Sequence, residues 1–142
     1  RSSIDIVVSS LAFHYIADFR AVMEKVSTVL RDGGDIVFSC EHPIVTANIG
    51  GEDWVLDGAG AIRHFAVDRY QDAGVRTLTW IVEGVVKYHR SMSMIVNTMV
   101  ECGLMVERLV EPIPTEEAVA LLPTLVKEFR RPSFLIVKGR KW

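Results

Sequence analysis

The stretch from Ile4 to Glu41 limits the fold more than any other, because two apolar runs flank one amphipathic segment at the spacing of a crossover unit. Ile4-Asp5-Ile6-Val7-Val8-Ser9-Ser10 is short and β-branched, the pattern of a strand buried on both faces, and predicts a central strand. From Asp18 to Leu30 the residues Phe19, Val22, Met23, Val26, Val29 and Leu30 recur at helical spacing. Asp18 stands where a cap belongs, and Arg31 lies near the last turn. Gly33-Gly34 is expected to stop this helix, and Asp35-Ile36-Val37-Phe38-Ser39-Cys40-Glu41 to restart a strand. The unit reads as a βαβ crossover with parallel strands and a right-handed connection. Ligands of open α/β sheets gather at the carboxyl ends of such strands. Those ends carry Ser9, Ser10 and, a turn later, His14, and then Cys40, Glu41, His42 and Pro43.

At 142 residues the chain is about one domain with room for one core. A net charge of -2 gives no electrostatic case for nucleic acid, whose binding needs a basic patch. No run approaches the roughly 18 apolar residues of a membrane span, and the opening lacks a basic-then-apolar signal pattern. A soluble cytoplasmic protein is expected, with neither nucleic acid nor membrane as partner. Cys40 and Cys102 have no ligand-like neighbours at metal spacing, so buried thiols are expected and no metal site. The chain opens at Arg1 and is in its first strand by Ile4, which predicts a piece of a larger fold.

Ile44 to Gly60 is Gly-rich and reads as an irregular loop carrying Trp54. Arg63 to Tyr70 and Val75 to Val86 are β-rich, and Gln71-Asp72-Ala73-Gly74 between them suits a hairpin turn. Residues 44–90 are therefore expected to leave the sheet as a lid-like excursion. Ser91 to Cys102 has helical spacing, with Gly103 where a helix C-terminal glycine belongs. Leu104 to Val110 reads as a strand and Glu111-Pro112-Ile113-Pro114 as a rigid exit. A helix capped by Thr115 is expected to break at Pro123, and Phe134 to Lys138 to form the last strand before a basic tail.

Several of these segments carry a resemblance. Ile4 to Ile16, the helix ending Val29-Leu30-Arg31-Asp32-Gly33-Gly34, and the strand to Cys40 resemble the second half of a class I S-adenosylmethionine-dependent methyltransferase. Asp32 stands where the family usually has Pro. Glu41-His42-Pro43, Lys87-Tyr88-His89-Arg90, Glu107 to Pro112, and Arg131-Pro132-Ser133-Phe134-Leu135 resemble a bacterial small-molecule branch, the methyltransferase type 11-like proteins. The resemblance implies an α/β fold: a partial Rossmann-like sheet of the family's fourth, fifth, seventh and sixth strands, the last antiparallel, with a β-hairpin excursion. Residues 1–142 would then form a single partial domain. The family's Gly-rich loop and ribose-binding carboxylate would precede Ile4, so this chain alone is expected to bind S-adenosylmethionine weakly and to be inactive.

Ser9, Ser10, Leu11 and His14 correspond to positions near the methionine end of that cofactor. Strand-end solvation and a packed histidine are the competing readings. Glu41 and His42 lie beyond a parallel strand, where a carboxylate and an imidazole orient or deprotonate an acceptor, although Pro43 also simply ends the strand. His89 and Arg90 are the polar pair expected to face the acceptor, since a fixed guanidinium binds carboxylate bidentately. An ion pair of Arg90 with Glu83, Glu107 or Glu111 competes. Trp54 and Tyr70 are expected to wall the acceptor pocket or to form lid core. His42 and His89 are the catalytic candidates, yet transfer from an activated sulfonium needs chiefly alignment. The partners expected are a small-molecule methyl acceptor and a second copy of the chain, paired through the open edge at Ile4 to Val8 or through the uncovered sheet face. A non-catalytic remnant or assembly module is the rival reading, and a nucleotide-binding α/β domain of another kind a third.

Overall fold

The computed structural model describes residues 2–50, 53–79 and 81–142. In chain order the elements are β1 (Ile4–Ser10), α1 (Phe19–Val29), β2 (Leu30–Glu41), α2 (Pro43–Thr46), β3 (Trp54–Leu56), β4 (Ile62–Phe65), β5 (Gly74–Leu78) and β6 (Val85–His89). There follow α3 (Met92–Glu101), β7 (Leu104–Val110), α4 (Glu116–Leu121) and β8 (Phe134–Lys141), with 3-10 turns at Phe13–Tyr15 and Pro123–Phe129. The body is a four-stranded sheet of order β1-β2-β8-β7. β1 lies parallel to β2 with Val7 beside Ile36, and β8 is antiparallel to both of its neighbours, Val137 facing Phe38 and Leu109. This is the strand arrangement that the family resemblance implies.

The helices form where side chains cap them and pack on one sheet face. Asp18 accepts from Ala21 N at 2.9 Å, Ser91 from Met94 N at 3.3 Å and Thr115 from Ala118 N at 3.2 Å. Phe19, Met23 and Val26 of α1 and Ile95 and Met99 of α3 meet Ile36, Phe38 and Cys40 of β2 in a single core. Phe13 stacks tilted on Phe38 with centroids 4.9 Å apart, which anchors the turn after β1 to that core. Burial of each large side chain contributes roughly 1.5–3 kcal/mol. Gly34 has no room for a side chain, since a Cβ there would lie 2.9 Å from the Arg31 carbonyl and 3.1 Å from those of Ile4 and Asp5.

Strand alternation sends Val37, Ser39 and Glu41 to the opposite face. There Arg140 and Lys138 bridge Asp35 and Glu107, with Arg140 Nε 2.9 Å from Asp35 and Lys138 Nζ 2.7 Å from Glu107. A bulge between Val106 and Arg108 frees Glu107 for that role.

Several expectations are corrected. β1 is neither central nor buried on both faces: it is an edge strand, with Ile6 53% and Val8 69% exposed. α1 ends at Val29 and β2 begins at Leu30, so Gly33-Gly34 bends a strand already under way rather than stopping the helix. The expected loop contains α2 and β3. The hairpin expected across Gln71 to Gly74 is replaced by two ribbons, β3 with β4 and β5 with β6. Residue 80, within the predicted Val75 to Val86 run, lies outside the described residues, as do residues 51 and 52 of the expected loop. The basic tail is the end of β8. Among the described residues no helix is long and apolar enough to cross a membrane.

Candidate functional site

A cleft of about 660 Å³ opens beyond the carboxyl ends of β1 and β2, within the range of roughly 300–1,000 Å³ typical of small-molecule sites. Leu11 forms its margin on the β1 side. The backbone of Leu11 has φ +49, and its N–H donates to the carbonyl of Ser39 at 3.0 Å and to Ser39 Oγ at 3.1 Å. That sharp left-handed turn drops the chain into Phe13–Tyr15, which sets His14 and Tyr15 in the cleft wall. Glu41 closes the floor from β2, Lys87 reaches in from β6, and Val45, Leu78 and Phe134 supply apolar cover.

The polar groups of this wall constrain one another. His14 Nδ1 accepts from the backbone N–H of Glu41 at 3.2 Å, so the neutral ring carries its proton on Nε2. Burial lowers the His14 pKa, the Glu41 charge pulls it up and that of Lys87 pushes it down again. Lys87 Nζ lies 2.5 Å from Glu41 Oε1, with side chains only 8% and 19% exposed. Its ammonium also stands 6.0 Å from the centre of the Tyr15 ring.

Of the residues picked out by sequence, Leu11, His14 and Glu41 line the cleft. Ser9 and Ser10 sit just before it at the end of β1, where Ser10 is exposed. His42 lies behind the floor: Nδ1 accepts from Ile44 N at 3.1 Å, capping α2, and Nε2–H donates to Glu111 Oε1 at 2.7 Å. Its pKa is lowered by burial despite the pull of Glu111. His89 is buried with both nitrogens engaged, Nε2–H donating to the Tyr70 carbonyl at 2.9 Å and Nδ1 accepting from Thr46 Oγ1 at 2.8 Å. Tyr70 accepts at its hydroxyl from Met92 N at 3.0 Å, fixing the start of α3.

Arg90 turns away from the cleft and clamps the segment leading to α1. It donates to the carbonyls of Phe13, Ile16 and Ala17, the last at 2.8 Å, and its guanidinium lies 5.4 Å from the Phe19 ring centre. Trp54 packs edge-on against Phe65 at 5.0 Å, beneath the Arg131 guanidinium, on the β3–β4 ribbon. Tyr15, Lys87 and Phe134 are cleft residues that the sequence reading did not single out. For Lys87 a signal existed: it stands two residues before His89, on the same buried face of β6.

Cys40 is a core thiol whose pKa burial pushes up to about 12, and Cys102 is also free. Among the described residues no cluster of His, Cys, Asp and Glu has the form of a metal site.

A family model described as a methyltransferase domain matches residues 1–38. A crystal structure of an S-adenosylmethionine-dependent methyltransferase from Mesorhizobium loti is 37% identical, with a TM-score of 0.89 over 99% of this chain and 63% of its own. A Listeria monocytogenes protein assigned to the same class is 38% identical, with a TM-score of 0.90 and the same coverage. An uncharacterized protein of Haemophilus influenzae is 30% identical over 99% of this chain and 55% of its own length. The chain has the fold of the class I S-adenosylmethionine-dependent methyltransferases. It spans a little over half to under two thirds of the length of these relatives.

The cofactor of the similar methyltransferases is S-adenosylmethionine. The end of β1 is open, Ser10 is exposed and Leu11 bends the backbone away, so a molecule lying along Ser9 to Leu11 borders the cleft directly.

Proposed function

We propose that this chain supplies the acceptor-binding side of a methyltransferase that acts on a small molecule, with Ser9, Ser10, Leu11 and His14 bordering S-adenosylmethionine. The observation that carries the reading is the shared margin at Leu11, where the open end of β1 meets a cleft that also holds His14, Glu41 and Lys87. When bound, S-adenosylmethionine provides an electrophilic methyl group. The chain's own residues then orient the acceptor, and Glu41 stands in the cleft as the group able to take a proton from it. Tyr15, Leu78 and Phe134 exclude water from that space. His42, Tyr70, His89 and Arg90 act as positioning residues behind the wall: His42 holds the end of β2, His89 holds α2 against Tyr70, and Arg90 holds the turn that carries His14. Trp54 steadies the β3–β4 ribbon.

The remaining contacts to the cofactor, a backbone cradle and a ribose-binding carboxylate, we assign to residues outside 1–142, so the isolated chain binds S-adenosylmethionine only weakly. Titrating the labelled chain with millimolar S-adenosylmethionine while following backbone amides tests both parts. Shifts confined to Ser9 to His14 with weak affinity are expected, whereas micromolar affinity or shifts centred elsewhere overturn the assignment.

A second reading, assembly, is supported by the edge position of β1 and the exposure of Ile6 and Val8. An apolar edge strand is a template for another chain, and we propose that two copies pair there in a two-fold dimer. A cytoplasmic location agrees with the two free thiols.

A further inference from the structure

We infer that the acceptor taken by this cleft is a small, uncharged, planar heterocycle that accepts a hydrogen bond from His14 and donates an N–H or O–H to Glu41. This rests on the methyl-transfer reading above and names its substrate class. The argument begins with the imidazole. Because His14 Nδ1 already accepts the Glu41 amide hydrogen at 3.2 Å, the neutral ring offers a donor at Nε2 and no basic nitrogen. His14 is 5% exposed and lines the cleft, and among the described residues nothing accepts from Nε2. A donor that the protein leaves unpaired at the surface of a cleft is open to a ligand acceptor.

Glu41 supplies the complementary half. One of its oxygens is held by Lys87 at 2.5 Å, and a carboxylate has lone pairs for further donors. The ammonium and carboxylate compensate each other, so a charged ligand would lose its hydration without meeting a net opposite charge. Neutral ligands escape that penalty. Planarity follows from Tyr15, a residue 41% exposed in the cleft wall whose ring centre lies 4.3 Å from that of His14. An aromatic face beside a donor and an acceptor favours a flat ring carrying both functions on one edge.

The step balances. With S-adenosylmethionine bound, Glu41 would take the ligand's N–H or O–H proton and later return it to water, while the ligand would gain the methyl group from the sulfonium, which would be left as a neutral thioether.

The probe pair 2-pyridone and N-methyl-2-pyridone tests the inference on the chain itself. Both are neutral and planar with a carbonyl acceptor, but only the first has a donor. The His14 Nε2–H resonance and the Glu41 amide should move on titration with 2-pyridone, and the N-methyl compound should bind roughly tenfold more weakly, as for one lost hydrogen bond to a charged group. The variant His14→Phe should lose the response to both. Equal binding of the two probes, no binding at millimolar concentration, or shifts away from His14 and Glu41 would overturn the inference. Should His14→Phe not fold, the comparison of the two probes on the unaltered chain decides alone. Response of Ser9 to Leu11 to S-adenosylmethionine is read in separate titrations, so failure here leaves the methyl-transfer reading standing or falling on its own test.

Discussion

Lys87 and Glu41, 46 positions apart in sequence, form a 2.5 Å ion pair in the wall of the cleft, both largely shielded from water. Truncating one member of such a pair leaves an uncompensated charge, which costs about 3–5 kcal/mol when burial is complete. Lys87→Met should therefore lower stability by about 3 kcal/mol, and the double variant Lys87→Met with Glu41→Leu should recover most of that. Urea denaturation of the three proteins checks it. A double variant no more stable than the single one would mean that the pair's packing, not its charge balance, matters.

Arg90 should behave as a clamp. It donates to three carbonyls between Phe13 and Ala17, and hydrogen bonds from a charged group contribute roughly 1.5–3 kcal/mol each before neighbouring losses are counted. Arg90→Ala should lower stability by about 2–4 kcal/mol and speed amide exchange across residues 12–18. Arg90→Lys should restore little, because an ammonium cannot reproduce the planar fork. If exchange in that segment is unchanged, the clamp is not what holds it.

Stability should fall on acidification. Burial lowers the pKa of His14, His42 and His89 from the ordinary 6.5, so the unfolded chain binds more protons than the folded one. Their contribution is complete above about 6.5 and is lost as pH drops through the lowered folded values. The urea midpoint should be flat above neutrality and decline below about pH 6.5. A midpoint that rises over that acid range would contradict the sign.

The β-edge proposal predicts concentration-dependent association. Sedimentation of the chain should show a dimer that Val8→Lys weakens, since a lysine on an exposed edge opposes strand pairing. A monomer at high micromolar concentration, with slowly exchanging amides in β1, would rule it out.

The βαβ frame was legible because helical and strand periods alternate cleanly from Ile4 to Glu41, and the capping residues Asp18 and Thr115 announced their helices. The exposure of β1 was legible only through the open edge at Ile4 to Val8 that the family's strand order implies, because the run itself reads the same whatever covers it. Strand partners within residues 44–90 were hidden for a different reason: Gly74 to Leu78 pairs with Val85 to His89, and nothing local chooses between that and pairing with Arg63 to Tyr70. At the site, His14 and Glu41 were legible as residues at strand ends. The roles of His89 and Arg90 depend on Tyr70, Thr46 and backbone carbonyls far along the chain, which no spacing rule connects.

The central claim is that residues 1–142 can supply the acceptor side of a methyltransferase. It is tested most directly by replacing the matching segment of the Listeria monocytogenes relative with this chain. The chimera is then given S-adenosylmethionine labelled in its methyl group, together with a small-molecule extract. The account predicts that label enters low-molecular-weight products, that Glu41→Gln reduces transfer at least tenfold while cofactor binding persists, and that His14→Phe reduces transfer as well. A folded chimera that binds the cofactor yet transfers no label, or one in which both substitutions leave transfer unchanged, would contradict it.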